Sequence, residues 1–217
     1  IANPSLGFAS AGDSSNAVGI PDDAIVSLGD SGIADLTFTQ PVMDGPGPDF
    51  AVFENGFRNP AVANQAFLEL GFVELSSDGV HYTRFPATSL TQTQVQIGNG
   101  NYNDARLLNY LACKYIALNG TPLDLAELAD SPSLDVNHIT HVRIIDAVGD
   151  IGQHACRDNN GLIINDPYPT PFASSGFDLD AVGVINEAYA GLEVTARKNF
   201  MSIYPNPATD QIAISVT

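Results

Sequence analysis

Apolar and polar residues alternate in short segments along this chain, and turn residues separate the segments. Residues 34–39 alternate with the period of a half-buried strand, and residues 49–54 form another short strand-like segment after a Gly/Pro hinge at residues 45–48. Residues 67–76 form a longer segment, which a turn at residues 77–79 joins to a returning segment at residues 80–85. This pattern predicts strands and hairpins rather than alternating helices and strands.

Two further segments, residues 138–146 and 179–186, have the sequence of central strands. With about seven or eight strands in all, a jelly roll is the most economical architecture. We therefore predict an all-β fold, a β-sandwich that occupies residues 1–187.

One stretch departs from the strand pattern and predicts a partly helical insertion at residues 99–133. Within residues 104–115 the apolar side chains recur at helical spacing, and residues 121–128 resemble a short capped helix with Pro122 in its first turn. We expect this insertion to lie over one end of the sandwich.

The composition restricts the partners. The chain of 217 residues has a formal net charge of -17, from 25 acidic against 8 basic side chains. Nucleic acid is therefore not a predicted partner, because binding to phosphates needs clustered Lys and Arg. An acidic surface suits a secreted protein that stays soluble, or one that concentrates divalent cations. The sequence does not start with a secretion signal at Ile1, so an exported form would have lost it.

Carboxylates at predicted strand ends indicate a calcium site. Side chains two apart on a strand share a face, which would place two of these carboxylates together. Calcium takes six to eight oxygen ligands with loose geometry and would compensate their repulsion. The alternative is that these groups are solvated or cap turns. The candidate ligands are Asp49, Glu54, Asn55, Asp146, Asp178 and Asp180.

Two loops combine aromatic, amide and carboxylate groups, and we predict that they meet at one end of the sandwich. Such a mixture suits a carbohydrate or another small polar ligand, because sugars need a stacking face and hydrogen-bond partners. The alternative is that the aromatic rings fix the loops to the sandwich. The candidate ligand-binding residues are Tyr102, Asn103, Asp104, Tyr168 and Phe172.

The C-terminal residues 198–217 contain Tyr204-Pro205-Asn206-Pro207-Ala208-Thr209-Asp210. They resemble the opening of the sorting domain that type IX secretion recognises in certain Gram-negative bacteria. The resemblance implies the type IX machinery as a partner and an extracellular or outer-membrane location. Members usually continue through more strands, so it also implies a truncated sorting domain, after a linker at residues 188–197. The alternative is a last hairpin of the main domain.

The main domain is similar to a family of secreted bacterial cell-surface proteins. The resemblance is carried by Val52-Phe53-Glu54-Asn55-Gly56-Phe57 and by the segment from Phe177 to Asn186, Phe-Asp-Leu-Asp-Ala-Val-Gly-Val-Ile-Asn. It implies a galactose-binding-like β-sandwich. Some members are associated with corrinoid uptake systems, so capture of a corrinoid is an alternative expectation.

Export also bears on the two cysteines. An oxidising compartment favours a disulfide, and we therefore predict a bond between Cys113 and Cys156. The alternative is a pair of free buried thiols.

The sequence favours a non-catalytic ligand-binding protein over a glycan-cleaving enzyme or a structural, adhesive module. A glycosidase needs two carboxylates that face one bond, whereas Glu69 and Glu74 occupy odd and even positions of one predicted strand and face apart. We therefore expect no catalytic residues.

Overall fold

The computed structural model describes residues 7–188, apart from the side chains of residues 117 and 118, and the backbone of two short strands near the C-terminus. Among the described residues, no helix is long and apolar enough to cross a membrane. The strands in chain order are β1 (Val26–Ser27), β2 (Ile33–Val42), β3 (Phe50–Glu54), β4 (Phe57–Arg58), β5 (Gln65–Phe67), β6 (Gly71–Ser76), β7 (Thr83–Arg84), β8 (Thr88–Ser89), β9 (Asn103–Asp104), β10 (Leu108–Asn109), β11 (Leu111–Ala112), β12 (Ala117–Leu123), β13 (Ile139–Asp146), β14 (Asp178–Val184), β15 (Ser202–Tyr204) and β16 (Ala213–Ser215).

Two antiparallel sheets form the β-sandwich. One has the strand order β1-β14-β3-β12, and the other has the order β11-β6-β13-β2, with β7 paired to β6 as well. Smaller sheets join β4, β5 and β9, and join β8 to β10. The prediction of an all-β fold with antiparallel sheets is confirmed.

The hydrophobic core draws on alternate residues of both main sheets. Phe50 and Val52 of β3 are buried, and so are Val142 and Ile144 of β13. They belong to one contiguous cluster of apolar side chains. Because side chains alternate between the two faces of a strand, the next inward positions are Glu54 on β3 and Asp146 on β13.

The hairpin predicted around residues 77–79 is confirmed with shorter strands, since β6 pairs with β7 in the register Leu75 to Thr83. Gly79 has a φ of 74°, which a residue with a side chain adopts only with strain. The central strand predicted at residues 138–146 is β13, between β6 and β2.

The helix predicted within residues 104–115 is wrong. Residues 104–115 form β9, a 3-10 turn at Ala105–Leu107, β10 and β11. Tyr110 and Cys113 have φ angles of 52° and 68°, which a right-handed helix excludes, and Leu111 pairs with Phe72 in the five-stranded sheet. The leucines that recur at helical spacing therefore lie in a 3-10 turn and in short paired strands, not on one face of a helix.

The second predicted helix is a single 3-10 turn, Leu125–Leu128. Pro122 belongs to edge strand β12, where the absence of its N–H is tolerated. The turn is capped instead by Asp124, which accepts a hydrogen bond from the N–H of Ala126 at 3.0 Å.

Near the C-terminus, β15 pairs with β16 in antiparallel fashion. The other residues of the predicted linker and sorting domain, beyond residue 188, lie outside the described residues.

Candidate functional site

The inward-facing series of two central strands ends in carboxylates at the same end of the sandwich. Glu54 closes the inner face of β3 and is paired with Leu179, directly after Asp178 at the start of β14. Asp146 closes the inner face of β13 and is paired with Gly71 at the start of β6. The polypeptide therefore brings acidic side chains to positions that would otherwise hold core residues.

Two loop carboxylates join these strand ends. Glu69 lies between Leu68 and Leu70, just before β6, and Asp166 accepts a hydrogen bond from the N–H of Leu70 at 2.9 Å. We call Glu54, Glu69, Asp146, Asp166 and Asp178 the buried acidic cluster, because each is only 1 to 5 % exposed.

No described Lys, Arg or His forms an ion pair with the buried acidic cluster. Within residues 7–188 the ion pairs use other acids: Asp35, Glu74, Asp78 and Asp104. Buried charges are normally paired, bind a metal, or are neutralised by a proton. The buried acidic cluster is therefore a site for protons or for a cation.

Burial is the main cause of the raised pKa values in the cluster. Burial, followed by the negative charges of its four neighbours, raises the pKa of Glu69 to about 11. Burial raises the pKa of Glu54 to about 8 and that of Asp146 to about 7, although hydrogen bonds to both groups favour the charged form. The pKa values of Asp166 and Asp178 are also raised by burial.

Hydrogen bonds satisfy the cluster only in part. Asp146 accepts from the N–H groups of Ser31 and Phe177, at 2.9 Å and 2.8 Å. In contrast, Oε1 of Glu54 and Oε1 of Glu69 are buried and have no hydrogen-bond partner among the described residues. Each such oxygen costs about 1–3 kcal/mol unless a ligand supplies the missing contact.

Glu69, Asp146 and Asp166 line a small cavity together with Asp30. Its volume is about 10 Å³, which is enough for one water molecule or one ion. Gly149 and Gly176 also line the cavity. A Cβ atom at Gly149 would stand 1.6 Å from Oδ1 of Asp166, and one at Gly176 would stand 2.9 Å from Oδ1 of Asp146.

We predict that Gly149→Ala destabilises the protein by about 1–3 kcal/mol, because the added methyl group displaces Asp166 from the cavity wall. Gly98→Ala is the matched control, since its Cβ would meet nothing closer than Asn101 Nδ2 at 3.6 Å. Urea unfolding measures both. Equal midpoints for the two variants would contradict a tightly fitted Asp166.

A second acidic group lies at the opposite end of β3. Oxygen atoms of Asp44, Asp49 and Asp124 lie within 4.8 Å of one another. Among the described residues, no other group of three or more Asp, Glu, His or Cys side chains brings its ligand atoms this close together. Asp49 accepts hydrogen bonds from the N–H of Gly45, the N–H of Leu125 and the amide of Asn186. Asp49 thus already accepts several hydrogen bonds, while Oδ1 of Asp44 has no hydrogen-bond partner among the described residues.

The structure places the predicted calcium ligands in four different surroundings. Glu54, Asn55 and Asp178 lie together, because the Asn55 amide donates to Asp178 at 3.2 Å. Asp146 lines the small cavity, and Asp49 belongs to the second acidic group. Asp180 instead accepts from the N–H groups of Asp22 and Asp23, at 3.2 Å and 3.3 Å.

The strand alternation predicted for Asp178 and Asp180 is interrupted. The register between β14 and β3 shifts between Leu179 and Ala181, so Asp180 lies at an irregularity of the ladder. The hydroxyl of Ser27 donates to Asp178, which therefore has different partners from Asp180. Although Asp178 and Asp180 are two residues apart, their carboxylates therefore do not face one common metal site.

The two aromatic loops are joined by hydrogen bonds. The amide of Asn103 donates to the carbonyl of Asn165 at 3.2 Å, and the N–H of Tyr168 donates to the carbonyl of Ile97 at 2.8 Å. Tyr168 and Phe172 line one cavity with Phe8, whereas Tyr102 packs edge-on against Phe57.

Among the described cavities, none is lined by both Tyr102 and Tyr168. Asn103 is buried, and Asp104 forms an ion pair with Arg106 that holds the pKa of its carboxyl at about 2. The predicted ligand-binding residues therefore lie in neighbouring loops without forming one pocket.

The predicted disulfide is wrong, since both cysteines are free. The Cys113 thiol is buried and donates to Oε2 of Glu54 at 2.6 Å. The Cys156 thiol donates to the carbonyl of Val148 at 3.1 Å. Each sulfur thus has its own polar partner, and the Cys113 thiol belongs to the surroundings of the buried acidic cluster.

Glu69 and Asp166 were not among the site residues predicted from the sequence. Glu69 could have been recognised from its position in the apolar run Phe67-Leu68-Glu69-Leu70, because a charged residue is unusual among apolar neighbours that become buried. Asp166 gave no comparable signal, because an Asp before a proline is ordinary in a loop.

Comparison of the chain with family models, with curated proteins and with solved structures finds no match. The function therefore has to be inferred from the chemistry of the site.

Proposed function

We propose that this chain is a calcium-stabilised, non-catalytic β-sandwich of the bacterial cell surface that binds a carbohydrate or another small polar ligand. The observation that carries the calcium is the buried acidic cluster, whose member Glu69 has an oxygen without a hydrogen bond at a cavity of ionic size. Calcium would supply positive charge to carboxylates that have no described cationic partner.

The donor set favours calcium over softer metals. Glu69, Asp146 and Asp166 line the cavity together with Gly149. Their oxygen atoms do not all lie within 4.8 Å of one another, so these side chains would have to draw together to hold one ion. No His or Cys lines the described cavity, so the nitrogen and sulfur ligands that zinc and copper prefer are missing. Hard carboxylate and carbonyl oxygens are calcium ligands.

The same cavity supports a role in stability rather than in glycan cleavage. A sugar ring cannot enter about 10 Å³, and the carboxylates around it are nearly fully buried. Glycoside hydrolysis needs two carboxyl groups that flank a bond in an open cleft.

A surface location fits weak calcium binding. Extracellular modules bind calcium with Kd values of about 10⁻⁴–10⁻³ M, because the ion is abundant outside the cell. The resemblance of the main domain to secreted cell-surface proteins and of the tail to a type IX sorting signal supports this location. The type IX machinery is therefore the proposed export partner.

Counting the bound metal tests the proposal. After dialysis against millimolar calcium at neutral pH, we expect a native mass spectrum in which one calcium ion per chain depends on Glu69. Glu69→Gln should lose that ion, and Asp44→Asn should keep it. A wild-type chain that retains no calcium contradicts the proposal, and loss of the ion from Asp44→Asn alone moves the site to the second acidic group.

A further inference from the structure

A groove of about 720 Å³ lies beside the small sheet of β4, β5 and β9. Its walls come from the loop between β4 and β5, from Ala105 and Arg106 after β9, and from residues 114–116 with Asn119. The volume lies in the range of about 300–1,000 Å³ that is usual for sites of small ligands. The groove shares no lining residue with the small acidic cavity.

The groove concentrates positive charge in a very acidic protein. Arg58, Arg106 and Lys114 line it, which is three of the six Lys and Arg residues between positions 7 and 188. Its described lining contains no Asp or Glu, although the chain has 25. A local cationic surface in a chain of net charge -17 indicates a ligand that carries negative charge.

Two of these cations have no carboxylate partner in the described part of the chain. Arg106 is paired with Asp104 at 2.6 Å, whereas no ion pair there includes Arg58 or Lys114. An ion pair with a ligand carboxylate or sulfate would therefore not require breaking an existing one. Charge-assisted hydrogen bonds of this kind are about twice as strong as neutral ones.

The rest of the lining suits a polyhydroxylated molecule. Tyr115 is 48 % exposed and offers a ring on which the apolar face of a sugar can stack. Asn64 is exposed and held in the left-handed region with a φ of 64°, at the edge of the groove. The Asn59 side chain donates a hydrogen bond to Oε1 of Gln65 at 2.9 Å, which fixes the two amide groups along the wall of the groove.

We propose that this groove binds an acidic carbohydrate, whose carboxylate or sulfate pairs with Arg58 and Lys114 while a sugar ring stacks on Tyr115. This inference rests on the proposed ligand-binding function, but not on the calcium. Because the remainder of the protein repels anions at long range, binding depends on short-range contacts with these two cations and weakens as salt screens them.

The test measures binding of short oligogalacturonates, of sulfated galactan oligosaccharides and of neutral galactan oligosaccharides by calorimetry. The wild-type chain is used in saturating calcium, beside the double variant Arg58→Gln/Lys114→Gln. Arg157→Gln is the matched control, because Arg157 is exposed and lies outside the groove. Thermal melts of each variant establish that the fold is retained.

We expect at least one anionic probe to bind the wild type, the neutral probe to bind at least tenfold more weakly, and the double variant to lose tenfold or more in affinity. The Arg157→Gln variant should bind as the wild type does. Binding of one anionic probe and not the other identifies the carboxylate or the sulfate as the recognised group.

Failure of both anionic probes to bind, or equal binding by wild type and double variant, overturns the groove assignment. These results are distinguishable from a failure of the calcium proposal. If the chain takes up calcium but does not bind the probes, only the groove assignment is contradicted. If it binds the probes but takes up no calcium, only the proposed metal site is contradicted.

Discussion

In the presence of chelator, the protein is expected to lose stability as the pH rises from about 5 to about 8, and millimolar calcium is expected to recover part of this loss. The cause is the buried acidic cluster, in which Asp146 has a pKa of about 7, Glu54 of about 8 and Glu69 of about 11. All three values lie above those of the unfolded chain.

The direction follows from the proton balance. A folded state with raised pKa values holds protons that the unfolded chain has already released, so its stability is full below the unfolded values near pH 4 and declines as the pH rises through the folded values. Each proton contributes about 1.4 kcal/mol per pH unit. The exposed acids with lowered pKa values, Asp78 and Asp104, affect stability only at more acidic pH.

Calcium competes with these protons and binds best when they have left. At a tenfold excess over its Kd, a ligand of the folded state adds about 1.4 kcal/mol, and for a chain of this length that raises the unfolding temperature by roughly 3–6 °C. The measurement is thermal unfolding at about pH 5 and about pH 8, in chelator and in calcium. Melting curves that coincide with and without calcium at the higher pH would contradict the account.

Glu69→Gln is expected to abolish the calcium response and to stabilise the metal-free protein at pH 8. The amide keeps the size of the side chain but needs no proton to become neutral, whereas Glu69 must be protonated far above its ordinary pKa. The expected gain in metal-free stability is about 2–4 kcal/mol.

Asp44→Asn is the matched comparison, because Asp44 belongs to the second acidic group and not to the cluster. It should leave both the calcium response and its pH dependence as in the wild type. A calcium response that survives Glu69→Gln, or one that disappears in Asp44→Asn, would show that the ion is held elsewhere. Urea titrations in chelator and in calcium provide the free energies.

The sandwich could be predicted because its central strands alternate clearly. Phe50 and Val52 of β3 and Val142 and Ile144 of β13 are buried at alternate positions, and tertiary packing reinforces that pattern. The strands within residues 104–115 were not predictable in this way, because Leu107, Leu108 and Leu111 have helical spacing while the backbone has positive φ angles at Tyr110 and Cys113. A positive φ at a residue other than glycine leaves no trace in hydrophobic spacing.

The site was predictable only in part. Glu54 and Asp146 were identified because they end predicted strands, and both belong to the buried acidic cluster. Their depth could not be foreseen, since burial depends on how the two sheets meet. Glu69 and Asp166 reach the cluster from loops almost a hundred residues apart, and their meeting is fixed by the N–H of Leu70.

Terbium luminescence tests the central claim most directly, because terbium replaces calcium and emits when an excited tyrosine lies nearby. The chain has no Trp, and Tyr168 lines the same cavity as Glu69, Asp146 and Asp166. We expect tyrosine-sensitised emission that calcium displaces, that Glu69→Gln abolishes, and that Tyr168→Phe strongly reduces while the calcium-dependent melting persists. Emission that is unchanged in both variants would place the ion outside this cavity and contradict the account.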